Sequence, residues 1–410
     1  QRKDRGGMWY TPVSGIWQTV WIECVPNNFI ENIKITPDID NKQVHIKVIG
    51  SSDLEKTIQI FNDKNKIVEK TFKDDEITIE FKEIHLWSPS DPFLYNFNII
   101  TSNDSVKSYF AMRKFSYNKN QLLLNNKPFF FNGLLDQGYY SDGIYTPATL
   151  EAYKDDIIKM KEFGFNTLRK HIKIEPLLFY YLCDKIGMIV FQDFVNNSNY
   201  SFIRDTALPT IGFKNFDDTK RWIPQENKDI FIKTMEETVS LLYNTPSIGY
   251  WTIFNEGWGQ FESSKAYEHL LSIDSTRIID SHSGWFNGGK TDVSSLHIYF
   301  KPLFIEETDK PIIISEFGGY SYKIQDHSFN LDNNYGYRIY NDQESFQNGF
   351  IDLYKNEVIP LFKKGLYGCI YTQVSDVEDE TNGILTYDRK VCKLDKDIIS
   401  KLFEELKFEE

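Results

Sequence analysis

The sequence predicts a multidomain β plus α/β protein in which an antiparallel β-sandwich precedes a (β/α)8 TIM barrel. Three observations carry this expectation. At 410 residues the chain is longer than one compact core supports. Its early part reads as short alternating segments broken by polar turns. After Tyr117 the rhythm changes to strand-like apolar runs separated by helix-length amphipathic stretches. With 41% hydrophobic and 26% charged residues, the composition is that of a globular protein.

The sandwich is expected over 19–118. Its signals are Thr19-Val20-Trp21-Ile22-Glu23, Val44-His45-Ile46-Lys47-Val48, Thr57-Ile58-Gln59-Ile60-Phe61 and Ile77-Thr78-Ile79-Glu80-Phe81, with Asp/Asn/Lys/Ser clusters between them. The barrel is expected over 119–410. Candidate strands fall at 129–135, 167–172, 188–194, 248–256, 278–283, 295–299, 311–318 and 367–374. Helices separate most of them: 149–163 places Leu150, Tyr153, Ile157, Ile158 and Met160 near helical spacing, and 228–243 is a second. Eight such repeats match a (β/α)8 barrel. A doubly wound open sheet competes, but the glycine-rich phosphate-binding turn expected after its first strand is absent. The insertion at 195–227, with Tyr200, Phe202, Phe213 and Trp222, is expected on the catalytic face as a loop shaping a pocket.

A net charge of −13 with scattered lysines argues against nucleic acid and anionic membranes as partners. Cys24, Cys183, Cys369 and Cys392 lie far apart, without zinc or disulfide-framework spacing. No apolar run reaches the roughly 20 residues of a membrane span, and no signal peptide opens the chain. A soluble protein is expected, with cytoplasm preferred over periplasm or secretion. Aromatic residues make up 16% of the chain, enough to stack on the apolar faces of a sugar as well as fill cores.

Barrel chemistry is done at the C-terminal ends of strands. Two carboxylates end apolar runs there: Glu256, after Ile248-Gly249-Tyr250-Trp251-Thr252-Ile253-Phe254-Asn255, and Glu316, after Pro311-Ile312-Ile313-Ile314-Ser315. Either alone reads as a strand-end salt-bridge partner. Together they end strands four and seven, which converge on one mouth. Retaining glycoside cleavage needs two carboxyl groups roughly 5–5.5 Å apart, one protonated and one ionised. Their environments must differ to keep those states.

At these residues the sequence resembles glycoside hydrolase family 2, the group of β-galactosidases, β-glucuronidases and exo-β-mannosidases. Further motifs extend the resemblance along nearly the whole chain: Ser14-Gly15-Ile16-Trp17-Gln18-Thr19-Val20-Trp21, Leu86-Trp87-Ser88-Pro89, Asn125-Asn126-Lys127-Pro128 with Asn132-Gly133, and Gly164-Phe165-Asn166-Thr167-Leu168-Arg169. It implies a jelly-roll sugar-binding domain, an immunoglobulin-like sandwich and a catalytic barrel. Gly6-Gly7-Met8-Trp9-Tyr10-Thr11-Pro12 looks like the end of the jelly-roll, so 1–18 is expected to be a remnant of that domain. The resemblance implies Glu256 as general acid/base, Glu316 as nucleophile and Asn255 as the hydrogen-bond partner of the sugar 2-hydroxyl.

The chain also departs from the family pattern. Arg169 is followed by Lys170-His171-Ile172-Lys173 where relatives carry a Ser-His-Tyr-Pro-like stretch, and His171 is the candidate there for a sugar contact. After strand one the chain has Asp136-Gln137-Gly138-Tyr139-Tyr140, where many members place Asn or His near the pocket, and Asp136 becomes the substrate-binding candidate there.

Further candidates are strand-end residues. Arg169 is expected to brace the nucleophile, or to be a structural salt bridge. Tyr299 resembles the family tyrosine that hydrogen-bonds the nucleophile. His297 alternates in register with it, and reads either as a pocket residue or as a satisfied core histidine. Trp285 and Trp258 are stacking platforms or rim covers, and Asp193 binds a hydroxyl or orients Arg169. The acidic run Asp376-Val377-Glu378-Asp379-Glu380 lacks an EF-hand pattern. No metal and no cofactor are expected, while Asp376 is a candidate for the pocket rim.

The resulting expectation is an exo-acting retaining β-glycosidase on a carbohydrate substrate, β-galactosidase narrowly ahead of β-glucuronidase or β-mannosidase. For a glucuronidase, Lys170 and Lys173 are the candidate cations. A non-catalytic carbohydrate-binding or scaffold protein is the alternative from another class. Homo-oligomerisation is compatible with either.

Overall fold

The computed structural model describes residues 5–51, 53–196, 201, 203–210, 213, 217–286 and 288–408. Seven strands come first: β1 Asn32–Asp38, β2 Gln43–Ile49, β3 Lys56–Asn62, β4 Asn65–Phe72, β5 Glu76–Glu80, β6 Tyr95–Ile100 and β7 Ser105–Phe110. They form two antiparallel sheets, β1-β2-β5 and β4-β3-β6-β7. Alternation selects the facing sides: Val44, Ile46 and Val48 of β2 and Ile58 and Ile60 of β3 are buried in one core, while their sequence neighbours face outward.

The first expected strand does not form. Residues 19–23 alternate as a strand would, but they pair with no ladder, and Ile22 is 94% exposed. A period of two selects which side chains share a face; it does not supply a neighbouring strand.

A short meander, β8 Phe115–Asn118, β9 Gln121–Leu124 and β10 Lys127–Pro128, joins the sandwich to the barrel. Phe115, Leu122, Leu124 and Trp87 pack with the barrel-interior residues Phe131, Phe191, Tyr250 and Ile313 as one core, so the meander plugs the barrel floor. Gly249 permits this, because a Cβ there would stand 2.7 Å from the Phe115 ring.

The barrel strands are β11 Phe131–Asp136, β12 Thr167–Lys170, β13 Ile189–Asp193, β14 Ile248–Thr252, β15 Ile278–Asp280, β16 Ser294–Ile298 and β17 Ile312–Gly318. A parallel excursion follows, β18 Tyr320–Tyr322 with β19 Arg338–Tyr340, before β20 Leu366–Thr372. The eight parallel strands run in the order β15-β14-β13-β12-β11-β20-β17-β16. All eight expected barrel strands are therefore present. β15 and β16 meet without a ladder. Among the described residues one backbone bond crosses that seam, Asp292 N to Ile279 O at 3.0 Å. Side chains do the rest, with Asp292 Oδ2 accepting from Ile279 N at 2.8 Å and Ser283 Oγ lying 3.2 Å from Ser295 Oγ.

The helices are α1 Glu151–Glu162, α2 Leu177–Ile186, α3 Leu208–Thr210, α4 Gln225–Leu242, α5 Ser263–Ile273, α6 Gln343–Leu353, α7 Ile359–Phe362 and α8 Lys396–Leu402. α1 buries Tyr153, Ile157 and Met160, the face its spacing indicates, whereas Leu150 caps the helix and is exposed. Of the aromatic insertion, Tyr200 and Phe202 lie outside the described residues. Phe213 and Trp222 are exposed and away from the pocket lining. Among the described residues no helix is long and apolar enough to cross a membrane. A cavity of about 540 Å³ lies at the sandwich–barrel junction, lined by Asp40, Arg113 and Tyr267 among others, far from the strand ends where the carboxylates stand.

Candidate active site

The β14 ladder stops at Thr252, four residues before Glu256. The intervening chain is still fixed, because Ser283 N donates to Phe254 O at 2.8 Å and Glu256 N donates to Ser283 O at 2.9 Å. Glu256 itself has φ 49°, a left-handed conformation that costs a non-glycine residue on the order of 1–3 kcal/mol and collects at functional sites. Glu316 lies within β17 and is followed by Gly318, where a Cβ would meet the Tyr371 ring at 2.2 Å.

Arg169, at the end of β12 and 1% exposed, organises the centre. Its Nε and Nη2 grip Asp193 at 3.0 Å each, and Nη2 donates to Asn255 Oδ1 at 2.8 Å. Nη1 donates to Glu316 Oε1 and to Ser315 O, both at 3.0 Å. Burial works against the guanidinium charge, but Asp193 and Glu316 more than offset it and keep Arg169 protonated. Burial likewise works to raise Asp193, yet Arg169 and His171 hold it below the ordinary carboxylate range. His171 Nδ1 lies 2.9 Å from Asp193 Oδ2.

The two carboxylates occupy different environments. Oxygens of Glu256 and Glu316 and a ring nitrogen of His297 all lie within 4.8 Å of one another. Burial first, and then the negative Glu316, push the Glu256 pKa well above its usual value, with Arg169 opposing. Glu316 accepts from Arg169 through one oxygen and from Tyr299 Oη through the other. Burial and the adjacent Glu316 keep the Tyr299 phenol protonated, so it remains a donor. Tyr299 Oη also lies 2.9 Å from Thr372 Oγ1.

These groups open on a cavity of about 480 Å³. Of the sequence candidates, Glu256, Glu316, Asn255, Tyr299, Trp258 and His171 line it. Arg169, Asp193 and His297 lie behind that wall, reaching it through the hydrogen bonds above. Trp285 is outside the lining, its ring centroid 6.4 Å from that of His297. Asp136 is also outside: it is buried in an ion pair with Lys170 Nζ at 2.8 Å and accepts from Gly138 N at 2.9 Å, so Gln137 faces the cavity in its place. Lys170 is consumed in the same cluster by Glu175 at 2.7 Å. Asp376 is paired with Lys393 at 2.6 Å and does not reach the rim.

Sequence reasoning missed Met8, Trp9, Tyr10, Tyr337 and Glu380 in the lining. The N-terminal segment crosses the mouth. Trp9 packs on Trp258 with centroids 5.4 Å apart, Tyr10 Oη donates to Glu380, and Thr11 N donates to Glu378 Oε1 at 2.9 Å. Arg5 pairs with Asp379 at 3.3 Å. Glu378, Asp379 and Glu380 of the acidic run thus take hydrogen bonds or an ion pair from the start of the chain. The aromatic cluster Trp9-Tyr10 was the one local hint.

The barrel model of glycosyl hydrolases family 2 matches 115–407 and a second domain model of that family matches 28–113, and the chain belongs to this family. A β-galactosidase of Staphylococcus xylosus is 25% identical over 74% of this chain and 32% of its own length. A β-glucuronidase of Streptococcus agalactiae is 24% identical over 62% of this chain and 43% of its own length. The chain thus spans less than half the length of these relatives. Among solved structures, a β-glucuronidase from an uncultured Clostridium superposes with a TM-score of 0.71 at 16% identity, covering 93% of this chain and 69% of that one. A β-galacturonidase of Eisenbergiella tayi bound to galacturonate does so at 0.67 and 18%, covering 93% and 73%. At such identities these two establish a common fold.

Proposed function

We propose that the protein is an exo-acting retaining β-glycosidase, with Glu256 as general acid/base and Glu316 as nucleophile. The observation that carries this is the carboxylate pair, spaced within 4.8 Å, with the Glu256 pKa pushed well up by burial and by Glu316, while Glu316 accepts hydrogen bonds from Arg169 and Tyr299. Glu316 attacks the anomeric carbon as the Glu256 proton passes to the departing oxygen. Water then enters, gives its proton to Glu256 and releases the sugar from Glu316. Asn255 offers its amide nitrogen to the sugar, since its oxygen is taken by Arg169.

The pocket charges favour a neutral hexoside over a uronide. Lys173 is the lining lysine, but its three protons are used by Gly138 O at 2.6 Å, Tyr145 O at 2.5 Å and Glu175 at 2.9 Å, and burial pushes its pKa down to about 8. Glu380 adds a carboxylate to the same wall. This keeps β-galactoside cleavage ahead of β-glucuronide cleavage. The test is a panel of aryl β-glycosides with a 2-fluoro-sugar trap. A covalent adduct on Glu316 and turnover of neutral sugars are expected. Ligand binding without adduct would instead favour a carbohydrate-binding module.

A further inference from the structure

His297 stands on β16, between the two carboxylates and behind them. Its Nδ1 lies 2.8 Å from Glu256 Oε1 and 3.5 Å from Glu316 Oε2. Its Nε2 lies 3.3 Å from Arg169 Nη1 and 3.1 Å from Ser283 Oγ. A guanidinium donates and never accepts, so a proton on Nε2 would point at another N–H. The remaining form is the neutral ring with its proton on Nδ1, donated to Glu256 Oε1.

We infer that His297 is a positioning residue that reserves Oε1 of Glu256 and thereby keeps the acid proton on Oε2, the other oxygen of a carboxyl that lines the cavity. The inference rests on the double-displacement reading above. In the first step the Oε2 proton goes to the glycosidic oxygen as the bond from that oxygen to the anomeric carbon breaks, and a Glu316 oxygen forms the new bond to that carbon. Glu256 is left as a carboxylate with Oε1 still accepting from Nδ1–H. In the second step Oε2 takes a proton from water as water displaces Glu316. His297 itself neither gains nor loses a proton over the cycle, which is what a fixed tautomer requires. Ser283 fits the same scheme: its backbone carbonyl holds the Glu256 amide and its hydroxyl faces the imidazole.

The pH dependence follows from the groups facing Glu256: Arg169 from β12, Glu316 from β17, His297 from β16, and the phenols of Tyr299 and Tyr337. Activity is lost as pH rises through the Glu256 pKa, because the acid must be protonated. Removing the Nδ1–H donor destabilises the carboxylate and moves that basic limb to higher pH.

Two measurements test this. In the wild type, 15N NMR of the His297 ring should show the proton on Nδ1; a proton on Nε2 overturns the assignment without any variant. In His297→Phe, kcat/KM for phenyl glycosides, whose departure needs the acid, should fall by roughly 10²-fold or more, while 2,4-dinitrophenyl glycosides, which leave unaided, lose far less. His297→Asn, which can still donate, should recover part of the loss. Equal losses for both leaving groups would mark a merely structural residue and overturn the inference. Trapping on wild-type Glu316 separates the two levels: a missing adduct refutes the double-displacement reading, whereas an intact adduct with leaving-group-independent losses refutes the role of His297 alone.

Discussion

Arg169 joins Asp193, Asn255, Glu316 and His297 through one planar fork, and no other side chain can span that geometry. Lysine would keep the charge as a single point but lose the paired grip on Asp193 and the separate bond to Asn255. Arg169→Lys is expected to lower kcat by roughly 10²-fold with a smaller change in KM, because the groups it misaligns act on the reacting centre. Steady-state kinetics on one aryl glycoside decide this; an unchanged kcat would make Arg169 a mere salt bridge. At the neighbouring acid, Glu256→Gln should slow hydrolysis of poor leaving groups by about 10²–10⁴-fold and abolish the basic limb of the pH profile, which a persisting limb would assign to another group. Arg169, Glu256 and Glu316 were legible in the sequence because each follows or ends an apolar run at a strand end. Asp136 follows the same rule, yet Lys170, its register partner on the adjacent strand β12, claims it. Sequence marks where such a residue stands, and the competing partner decides whether it faces the pocket.

Between elements, glycines set how closely the parts approach. Gly284, just past β15, has φ +90° and would put a Cβ 2.5 Å from the His297 ring. Gly284→Ala is therefore expected to tilt the imidazole and reproduce the leaving-group dependence of His297→Phe, with a stability loss of about 1–3 kcal/mol from the strained φ. Denaturation and kinetics on the same preparation separate the two effects; a stability loss with normal kinetics would show that the ring has room to give. The barrel strands were readable because runs such as Ile312-Ile313-Ile314 are apolar and β-branched throughout, as strands covered on both faces must be. The segment 19–23 has an equally good pattern and no partner. Contacts across more than 360 positions, such as Thr11 to Glu378, leave no periodic signature, which is why the mouth-crossing N-terminal residues were not foreseen.

At the scale of the whole molecule, the sandwich is tied to the barrel at Asp184 of α2. Its carboxylate accepts from Ser247 N and Tyr109 Oη, each at 2.7 Å, and its carbonyl accepts from Trp87 Nε1 at 2.8 Å. Burial pushes this carboxyl up to about 6. The folded pKa exceeds the ordinary aspartate value, so the folded state keeps a proton the unfolded chain has already released. Its contribution to stability is complete below about pH 4 and is lost as pH rises through about 6. Asp184→Asn should flatten this decline, by up to about 3 kcal/mol, when unfolding is followed across that window. Asp280 and Asp376, also raised to about 6, supply a remaining slope. A variant as steep as the wild type would remove Asp184 from the account. The barrel wall, meanwhile, is not uniform around its circumference. Where β15 meets β16 it is fastened by hydroxyls and one carboxylate instead of a ladder, and Glu256 and His297 are anchored on opposite sides of that line. The acid–imidazole contact thus bridges the one junction between neighbouring barrel strands that has no ladder among the described residues, whereas Arg169 ties the nucleophile across the laddered side, to β13 and β17.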